Sequence, residues 1–337
     1  MTIFFDRLFT RYPIKTRSSL ELLAGVFSWT LIFFPLWGSL FIPYTVAYFI
    51  LFFDVYWFYK SFSLAITAFI ASRKIRIAEK VNWVKETKTL QNYKDVAHVI
   101  IIPNYKERLE KLRHSITSIA NQTISTKKIF VVLGMEEREE EASQKANILI
   151  QEFGNRFGGM MATFHKDLPG EVKGKSSNQS FASQKAYATW VETGIINIGF
   201  ATVSSVDADS LFDPQYYAYL TFKFLTNPNR HNTFWQSANV SYNNFWRVPA
   251  PIRVLSFFGS LWRTGLLVQK DRLVSNSTYS LSFRLLKNIG FWDTDVIPED
   301  YRIFFKAFYL LKGEAWVEPI FLKTSMDAPL SGSYFKS

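Results

Sequence analysis

The feature that most constrains this chain is a long uncharged apolar stretch near its N-terminus. From Leu22 to Phe53, 32 consecutive residues carry no charged side chain, and only two charges occur between there and residue 73. An α-helix needs about 20 apolar residues to cross the hydrocarbon core of a bilayer, so this stretch has room for two crossings. Pro43 is the natural break between them. The sequence therefore predicts two transmembrane helices, near residues 22–42 and 45–69.

Charged residues around this stretch predict its orientation. Basic side chains flank it on both sides, namely Arg7, Arg11, Lys15 and Arg17 before it and Arg73, Lys74, Arg76 and Lys80 after it. Because positive residues favour the cytoplasmic side, both ends of the hairpin are predicted to lie in the cytoplasm. Asp54, inside the second span, then has to face a partner helix or the membrane interface. A pair of buried helices in a water-soluble protein is the alternative.

The amino-acid composition excludes several classes of protein. The chain contains no cysteine, which excludes a disulfide scaffold and Cys-ligated zinc. A hydrophobic content of 48% excludes intrinsic disorder, since such a chain can bury enough apolar surface to fold. Part of the net charge of +11 lies in residues 73–95, a basic juxtamembrane linker that favours anionic lipid headgroups. No zinc finger or aromatic-plus-basic pattern accompanies this linker, so nucleic acid is not a predicted partner.

After residue 95, strand-like and helix-like patterns alternate. The predicted strands are 96–102, 128–133, 160–164 and 199–206, and the predicted helices between them are 107–121, 137–153 and 177–192. Strands separated by helices of this length are joined by right-handed crossovers, which predicts an α/β fold with a mainly parallel sheet. In such sheets ligands bind outside the carboxyl ends of the strands.

Two acidic residues, Asp207 and Asp209, follow the fourth predicted strand. Carboxylates two residues apart at a strand end can converge on one hard cation. Oxygen ligands of this kind suit Mg²⁺ or Mn²⁺, with water and phosphate completing the coordination shell. An Asp-x-Asp sequence is also common in solvated turns, so the pair by itself leaves both interpretations open.

A glycine-containing loop precedes the third predicted helix. Residues 169–178 read Pro-Gly-Glu-Val-Lys-Gly-Lys-Ser-Ser-Asn. Such a loop offers backbone N–H groups, the positive end of a helix and the Lys175 ammonium to an anion such as phosphate. Its Gly-Lys-Ser resembles a Walker A loop, although that motif has four residues between its glycines and this loop has three. A P-loop nucleotidase is therefore one alternative.

A third polar segment, Pro298-Glu299-Asp300, starts another predicted helix. Carboxylates in a first turn are commonly helix caps that interact with the helix dipole. They can also act as a general base held beside a bound substrate. The local sequence favours neither role over the other.

Four motifs then occur in a fixed order. They are Ile-Pro-Asn-Tyr-Lys-Glu at 102–107, Gly-Lys-Ser-Ser-Asn at 174–178, Val-Asp-Ala-Asp-Ser at 206–210 and Pro-Glu-Asp at 298–300. In this order and spacing, over about residues 96–325, the chain resembles family 2 glycosyltransferases of the GT-A fold. The most similar type is the membrane-bound bacterial one related to cellulose, chitin and hyaluronan synthases. The resemblance implies a Rossmann-like GT-A catalytic domain on the cytoplasmic side of a multi-pass protein of the inner membrane.

The same resemblance implies roles for residues that would hold the donor. Tyr105, Glu107 and Glu136 would line the nucleoside pocket, although the segment around Glu136 departs from the family's usual Asp-Asp-Gly-Ser. Lys175 would lie near the diphosphate, and Asp207 would contact the sugar or ribose of the donor.

Two further roles concern the metal and the chemistry. Asp209, with Asp207, would hold Mg²⁺ or Mn²⁺ on the diphosphate, and Asp300 would remove the proton of the acceptor hydroxyl. A single base without a second catalytic carboxylate differs from the two-carboxylate arrangement of glycosidases and fits inversion in one step.

The resemblance implies an inverting hexosyltransferase of polysaccharide biosynthesis. It would transfer a sugar from a UDP- or GDP-sugar to a glycan or lipid-linked acceptor, next to membrane lipids. A non-catalytic membrane scaffold that keeps the fold and binds partners through its basic linker is the alternative from another class.

The predicted organisation has five parts. They are a cytoplasmic basic N-terminus (1–21), two transmembrane helices (22–72), the linker (73–95), the GT-A domain (96–330) and a tail (331–337). Processive members of the family carry a Gln-x-x-Arg-Trp motif downstream of the base, and no such motif follows Asp300. The expectation is either a truncated chain or a shorter enzyme that transfers single sugars.

Overall fold

The computed structural model describes residues 10–329 and consists of two compact units, with the boundary between Ser63 and Leu64. The first nine residues of the predicted N-terminal segment and the predicted tail at 331–337 lie outside the described residues.

The first unit is helical. Helix α1 (Pro13–Ile32) is followed by α2 (Phe34–Phe41), and the stretch from Ser18 to Ile32 makes an angle of 64° with α2. The bend has a local cause in Pro35, because proline lacks an N–H and its ring clashes with the carbonyl four residues earlier. The predicted first span, 22–42, is therefore a bent pair of helices rather than one straight helix.

Helix α3 (Pro43–Ala78) starts at the predicted break and runs from the first unit into the second. Proline suits this first-turn position, where its missing N–H has no partner to lose. The 36 residues of α3 span about 54 Å at 1.5 Å per residue. Within residues 10–329, α3 is the one helix long and apolar enough to cross a membrane by itself, and the bent pair adds at most a second crossing.

The second unit is an α/β body built on a mixed sheet. Its strand order is β3-β2-β1-β4-β7-β6-β8-β5. The strands are β1 (Ala97–Asn104), β2 (Ile129–Glu136), β3 (Gly159–His165), β4 (Ala201–Ser205), β5 (Leu211–Phe212), β6 (Thr233–Ser241), β7 (Tyr279–Ser282) and β8 (Trp316–Met326). The helices are α4 (Trp83–Lys88), α5 (Leu109–Ala120), α6 (Ala142–Phe153), α7 (Lys175–Ala186), α8 (Tyr216–Thr226), α9 (Ala250–Leu266), α10 (Phe283–Asn288) and α11 (Glu299–Leu310).

The apolar run of β1 explains why this strand is central. All eight of its residues are buried, and successive side chains point to opposite faces. Val99 and Ile101 join the core on one face, whereas Ile100 and Ile102 join the core on the other. A strand covered on both faces needs such a continuous apolar sequence.

The predicted alternation of strands and helices is confirmed for the first four strands. Strand β1 pairs in parallel with β2 and β4, and β2 pairs in parallel with β3. Beyond β4 the sheet is mixed, because β7 runs antiparallel to both β4 and β6. Strands β6 and β8 pair in parallel, so four of the seven strand pairings among residues 10–329 are parallel and three are antiparallel. The strands that the sequence did not predict, β5 to β8, lie after Asp209. Among them, β5 and β7 are short and carry little periodicity.

The predicted linker, residues 73–95, contains the last turns of α3 and the short helix α4. Trp83 stacks on Tyr219 of α8 with ring centroids 3.8 Å apart, and its indole N–H donates to the carbonyl of Ala78. Thr87 donates to the carbonyl of Ala218. These contacts attach the end of α3 to the α/β body.

Candidate active site

A cavity of about 300 Å³ opens at the carboxyl ends of β1, β2 and β4, next to the first turn of α7. The chain leaves β1 toward β2 on one side and reaches β4 on the other, so the loops diverge here and leave a crevice. Six of the predicted site residues line it: Tyr105, Glu107, Glu136, Lys175, Asp207 and Asp209. Residues from four separate parts of the sequence thus face one cavity.

Lys175, the first residue of α7, is the cation at the centre of this group. Its Nζ lies 2.7 Å from Asp207 Oδ1 and 3.0 Å from Glu299 Oε1. Burial alone would lower the pKa of Lys175, but the two carboxylates outweigh it and raise this pKa well above its ordinary value. The ammonium is therefore charged at neutral pH. Glu299 is buried and was not predicted, although it belongs to the Pro-Glu-Asp motif.

Asp300 does not line this cavity but is connected to it through Ser277. The Ser277 N–H donates to Asp300 Oδ2 at 2.8 Å, and the Ser277 carbonyl accepts from Lys175 Nζ at 3.1 Å. The other carboxylate oxygen accepts from the N–H of Tyr301. Ser277 has a positive φ of 52°, so a strained backbone position holds the predicted base beside the predicted diphosphate contact.

Asp209 supplies the second carboxylate of the Asp-x-Asp pair. Burial, together with the nearby charge of Asp207, raises the pKa of Asp209 to about 6, and its Oδ2 accepts the N–H of Asp327 at 3.0 Å. Two carboxylates facing one crevice are a donor set that suits Mg²⁺ or Mn²⁺, which also take water and phosphate oxygens. Within residues 10–329, no cluster of three or more His, Asp or Glu side chains could hold a metal by itself.

At the other end of the cavity lie Tyr105, Arg138 and Glu136. The Arg138 guanidinium stacks 4.0 Å from the centroid of the Tyr105 ring, and its Nε is 3.4 Å from Glu136 Oε2. Glu136 is 1% exposed, and burial raises its pKa even though Arg138 opposes this shift. Apart from this 3.4 Å ion pair with Arg138, Oε2 makes no hydrogen bond within the described part of the chain. A buried acceptor of this kind suits a ligand that donates a hydrogen bond.

Asn178, in the second half of the Gly-Lys-Ser-Ser-Asn segment, also lines the cavity and had no predicted role. It donates to the carbonyl of Gly134 at 2.8 Å. A side chain at Gly134 would begin 2.7 Å from Asn178 Oδ1, so the glycine is what lets α7 approach β2 here. Asn178 Oδ1 is buried without a partner among residues 10–329 and is a second acceptor at the cavity wall.

A buried ion pair behind the cavity supports the loop of Tyr105 and Glu107. Glu139 accepts the Lys106 N–H at 2.8 Å, where Lys106 has a positive φ of 58°, and it accepts from Asn104 Nδ2 at 3.3 Å. Lys145 Nζ pairs with Glu139 and also donates to the carbonyl of Glu107 at 3.0 Å. No sequence pattern predicts this role, because Glu139 lies in an acidic run that is typical of a helix start.

Together these groups can hold an elongated anionic ligand. One end offers an aromatic ring and buried acceptors, and the other offers a permanent cation between carboxylates. At the end that contains this cation, a phosphate and a divalent ion would be bound next to each other.

No protein-family model matches the chain, and neither does any curated protein sequence. Among solved structures, it is similar to a mannosyltransferase from Pyrobaculum calidifontis in complex with GDP-Man and Mn²⁺ (15% identity over 80% of this chain and 70% of that one, TM-score 0.46). It is similar to residues 1–349 of S. aureus TarS in complex with UDP-GlcNAc (14% identity over 72% of this chain and 61% of that one, TM-score 0.46). It is also similar to GalNAc-T7 with UDP, GalNAc and Mn²⁺ (10% identity over 72% of this chain and 46% of that one, TM-score 0.47). The chain thus spans less than two thirds of the TarS and GalNAc-T7 chains.

Proposed function

We propose that this chain is a membrane-attached inverting glycosyltransferase that uses a nucleotide-sugar donor. One observation carries the proposal: side chains of three of the four motifs line one cavity, and Glu299 of the fourth motif is ion-paired with the central lysine of that cavity at 3.0 Å. The resemblance of those motifs to family 2 glycosyltransferases of the GT-A fold supports the same function.

In this proposal the nucleoside of a UDP- or GDP-sugar lies against Tyr105, where Glu136 and Asn178 accept hydrogen bonds from the base or ribose. Lys175 contacts the diphosphate as a fixed positive charge. Asp207 and Asp209 would hold Mg²⁺ or Mn²⁺, which supplies further positive charge to the leaving diphosphate. Glu299, 3.0 Å from Lys175 Nζ, would keep this ammonium in position when Asp207 turns toward the donor.

Asp300 acts as the general base of the proposed transfer. It takes the proton of the acceptor hydroxyl, whose oxygen forms a bond to the anomeric carbon while the bond from that carbon to the diphosphate breaks. The two backbone N–H groups from Ser277 and Tyr301 keep this carboxylate oriented before the acceptor arrives. A base that approaches the sugar opposite its leaving group would make the transfer invert the anomeric centre.

The membrane part of the proposal rests on α3, which is long and apolar enough to span a bilayer. With the bent pair α1–α2 as a second crossing, basic flanks would leave the α/β body in the cytoplasm of a multi-pass inner-membrane protein. The acceptor is then a glycan or a lipid-linked sugar that reaches the cavity near the membrane, and the transferred group is a hexose.

Calorimetry on the full chain in nanodiscs, with a panel of UDP- and GDP-sugars and Mn²⁺, tests the donor site. We expect binding of at least one donor with slow release of its nucleoside diphosphate. Asp209→Asn should lose metal-dependent donor binding. Asp300→Asn should bind the donor normally but lose about 10²–10⁴-fold in transfer rate. Asp295→Asn, an exposed carboxylate on the same segment, is the matched control and should behave as the original chain.

Three outcomes would contradict the proposal or one of its assignments. Absence of binding for every donor would remove the donor site and favour the scaffold, and an unimpaired Asp300→Asn enzyme would refute the base. ATP hydrolysis that disappears in Lys175→Met would instead favour a P-loop nucleotidase.

A further inference from the structure

The polar side of helix α9 faces the protein body and its apolar side faces outward, which is the opposite of an amphipathic helix in a water-soluble protein. The side that packs on β6 and the body carries small polar residues, and Ser256, Ser260 and Thr264 are all buried. The opposite side presents large apolar residues outward, namely Val254, Leu255, Phe257, Phe258 and Trp262, which are between 45% and 68% exposed. An amphipathic helix on a soluble domain does the reverse and buries its apolar stripe.

The inward polar side is specifically built into the body. Ser260 Oγ accepts the N–H of Ser241 in β6 at 2.9 Å and donates to the carbonyl of Ser256. Arg263 donates to the hydroxyl of Ser241 at 2.8 Å. The helix cannot turn its apolar stripe inward without breaking these bonds, so the outward orientation is part of the fold.

The C-terminal end of α9 lies directly against the part of α3 that belongs to the second unit. At Gly265, an added Cβ would lie 2.9 Å from Thr67 Oγ1 and 3.4 Å from the backbone nitrogen of Ala68. The same turns of α3 carry further exposed apolar side chains, at Ile66, Phe69 and Ile70. Exposed apolar surface therefore occurs on both helices where they touch.

Basic and aromatic side chains accompany this surface. The Arg253 guanidinium lies 5.7 Å from the centroid of the Trp246 ring, and Trp246 is 82% exposed. Arg73 lies over the ring of Phe69 at 4.9 Å. Within residues 10–329, neither arginine has a carboxylate partner within ion-pair distance. Arginine and tryptophan next to an apolar helix stripe are typical of the headgroup region of a bilayer with anionic lipids.

We propose that α9 lies in the plane of the membrane surface, with Leu255, Phe258 and Trp262 among the acyl chains and Arg73 and Arg253 at lipid phosphates. This inference rests on the membrane attachment within the proposed function but not on the transfer reaction. It deepens that function, because Asn243 at the start of the segment leading to α9 donates to the carbonyl of Asp209 at 2.8 Å. The metal end of the proposed site is therefore joined to the segment that leads to the membrane-lying helix, on the side from which a lipid-linked acceptor would arrive.

The absence of cysteine from the sequence allows a direct test. Phe258→Cys is labelled with an environment-sensitive fluorophore in the full chain, reconstituted in vesicles of phosphatidylcholine with phosphatidylglycerol. Gln151→Cys is the matched control, since it is exposed on α6, which packs on the other face of the sheet. Quenching is measured with nitroxide-labelled acyl chains and, separately, with aqueous iodide.

We expect nitroxide lipid to remove most of the fluorescence at position 258 and iodide to have little effect, with the opposite pattern at position 151. Equal iodide quenching at the two positions would overturn the inference. Disulfide-linked dimers of Phe258→Cys, formed on oxidation without lipid quenching, would overturn it in favour of a second copy of the chain.

A second variant separates the membrane surface from general stability. Replacing Leu255, Phe258 and Trp262 together with serine should leave the chain folded in detergent, because these side chains are exposed in the fold. We expect it to abolish the protection of a label at Val254→Cys from iodide in vesicles, and unchanged protection would contradict the inference. Donor binding is measured in parallel. A lipid-shielded α9 in a chain that binds no donor would refute the transferase and support this inference. An active enzyme with a water-exposed α9 would support the transferase and refute this inference.

Discussion

Replacing Glu139 with glutamine removes the charge that balances Lys145 behind the loop of Tyr105. The two side chains are only 4% and 11% exposed, and removing one partner of a buried ion pair costs about 3–5 kcal/mol. In this variant Lys145 Nζ would keep its hydrogen bond to the Glu107 carbonyl at 3.0 Å and its ion pair with the mostly exposed Glu141 at 3.5 Å. We therefore expect Glu139→Gln to lower the free energy of unfolding by about 2–3 kcal/mol.

A double-mutant cycle isolates the pair. Lys145→Met and the double variant complete it, and the double variant should be less destabilised than the sum of the single changes, with a coupling of about 2 kcal/mol. Thermal unfolding of the full chain in nanodiscs should show a fall in Tm of about 4–12 °C for Glu139→Gln. Glu137→Gln is the control, because its ion pair with Lys166 is exposed, and it should change stability by less than about 0.5 kcal/mol.

Hydrogen exchange adds a local measurement that a general loss of stability does not reproduce. The Lys106 N–H donates to Glu139, so its exchange should accelerate more in Glu139→Gln than that of amides in β3 at the sheet edge. If the single changes add without coupling, or if Lys106 exchange stays unchanged, the pair does not support the loop and the reasoning is wrong.

Two further predictions concern the body of the fold. Trp83→Ala removes the indole that stacks on Tyr219 and should lower the free energy of unfolding by about 2–3 kcal/mol in thermal unfolding. Trp316→Ala, at an exposed site, should lower it by less than about 1 kcal/mol. Equal effects would show that the stacking of Trp83 on Tyr219 adds nothing to stability. Burial, and to a smaller extent Lys128, lowers the pKa of His98 to about 3, so the unfolded chain binds a proton below pH 6.5 that the folded chain does not. Stability should consequently fall by about 2 kcal/mol between pH 7 and pH 5 through this residue. His98→Gln, which can still bond to Thr202 and Thr221, should lose that part of the pH slope, and a slope unchanged in the variant would contradict the assignment.

Much of the candidate site could be predicted because its residues stand at strand ends. Tyr105, Asp207 and Asp209 follow buried strands directly, and parallel strands bring their carboxyl ends to one edge. Glu299 and Asn178 lie inside predicted motifs, yet their contacts depend on where α7 and α11 dock. Glu139 could not be predicted, since an acidic residue in a helix-start run has the same local pattern whether it is solvated or buried.

The sequence by itself determined the apolar segment, the break at Pro43, the first four strands and the order of the motifs, because each of these depends on charge, proline chemistry or periodicity within a short window. Only the tertiary structure decided that Lys175 lies between Asp207 and Glu299, that Ser277 connects Lys175 to Asp300, and that α9 turns its apolar side outward. These features join residues up to about 125 positions apart, and their geometry depends on strand order and helix docking, which no local pattern of residues encodes.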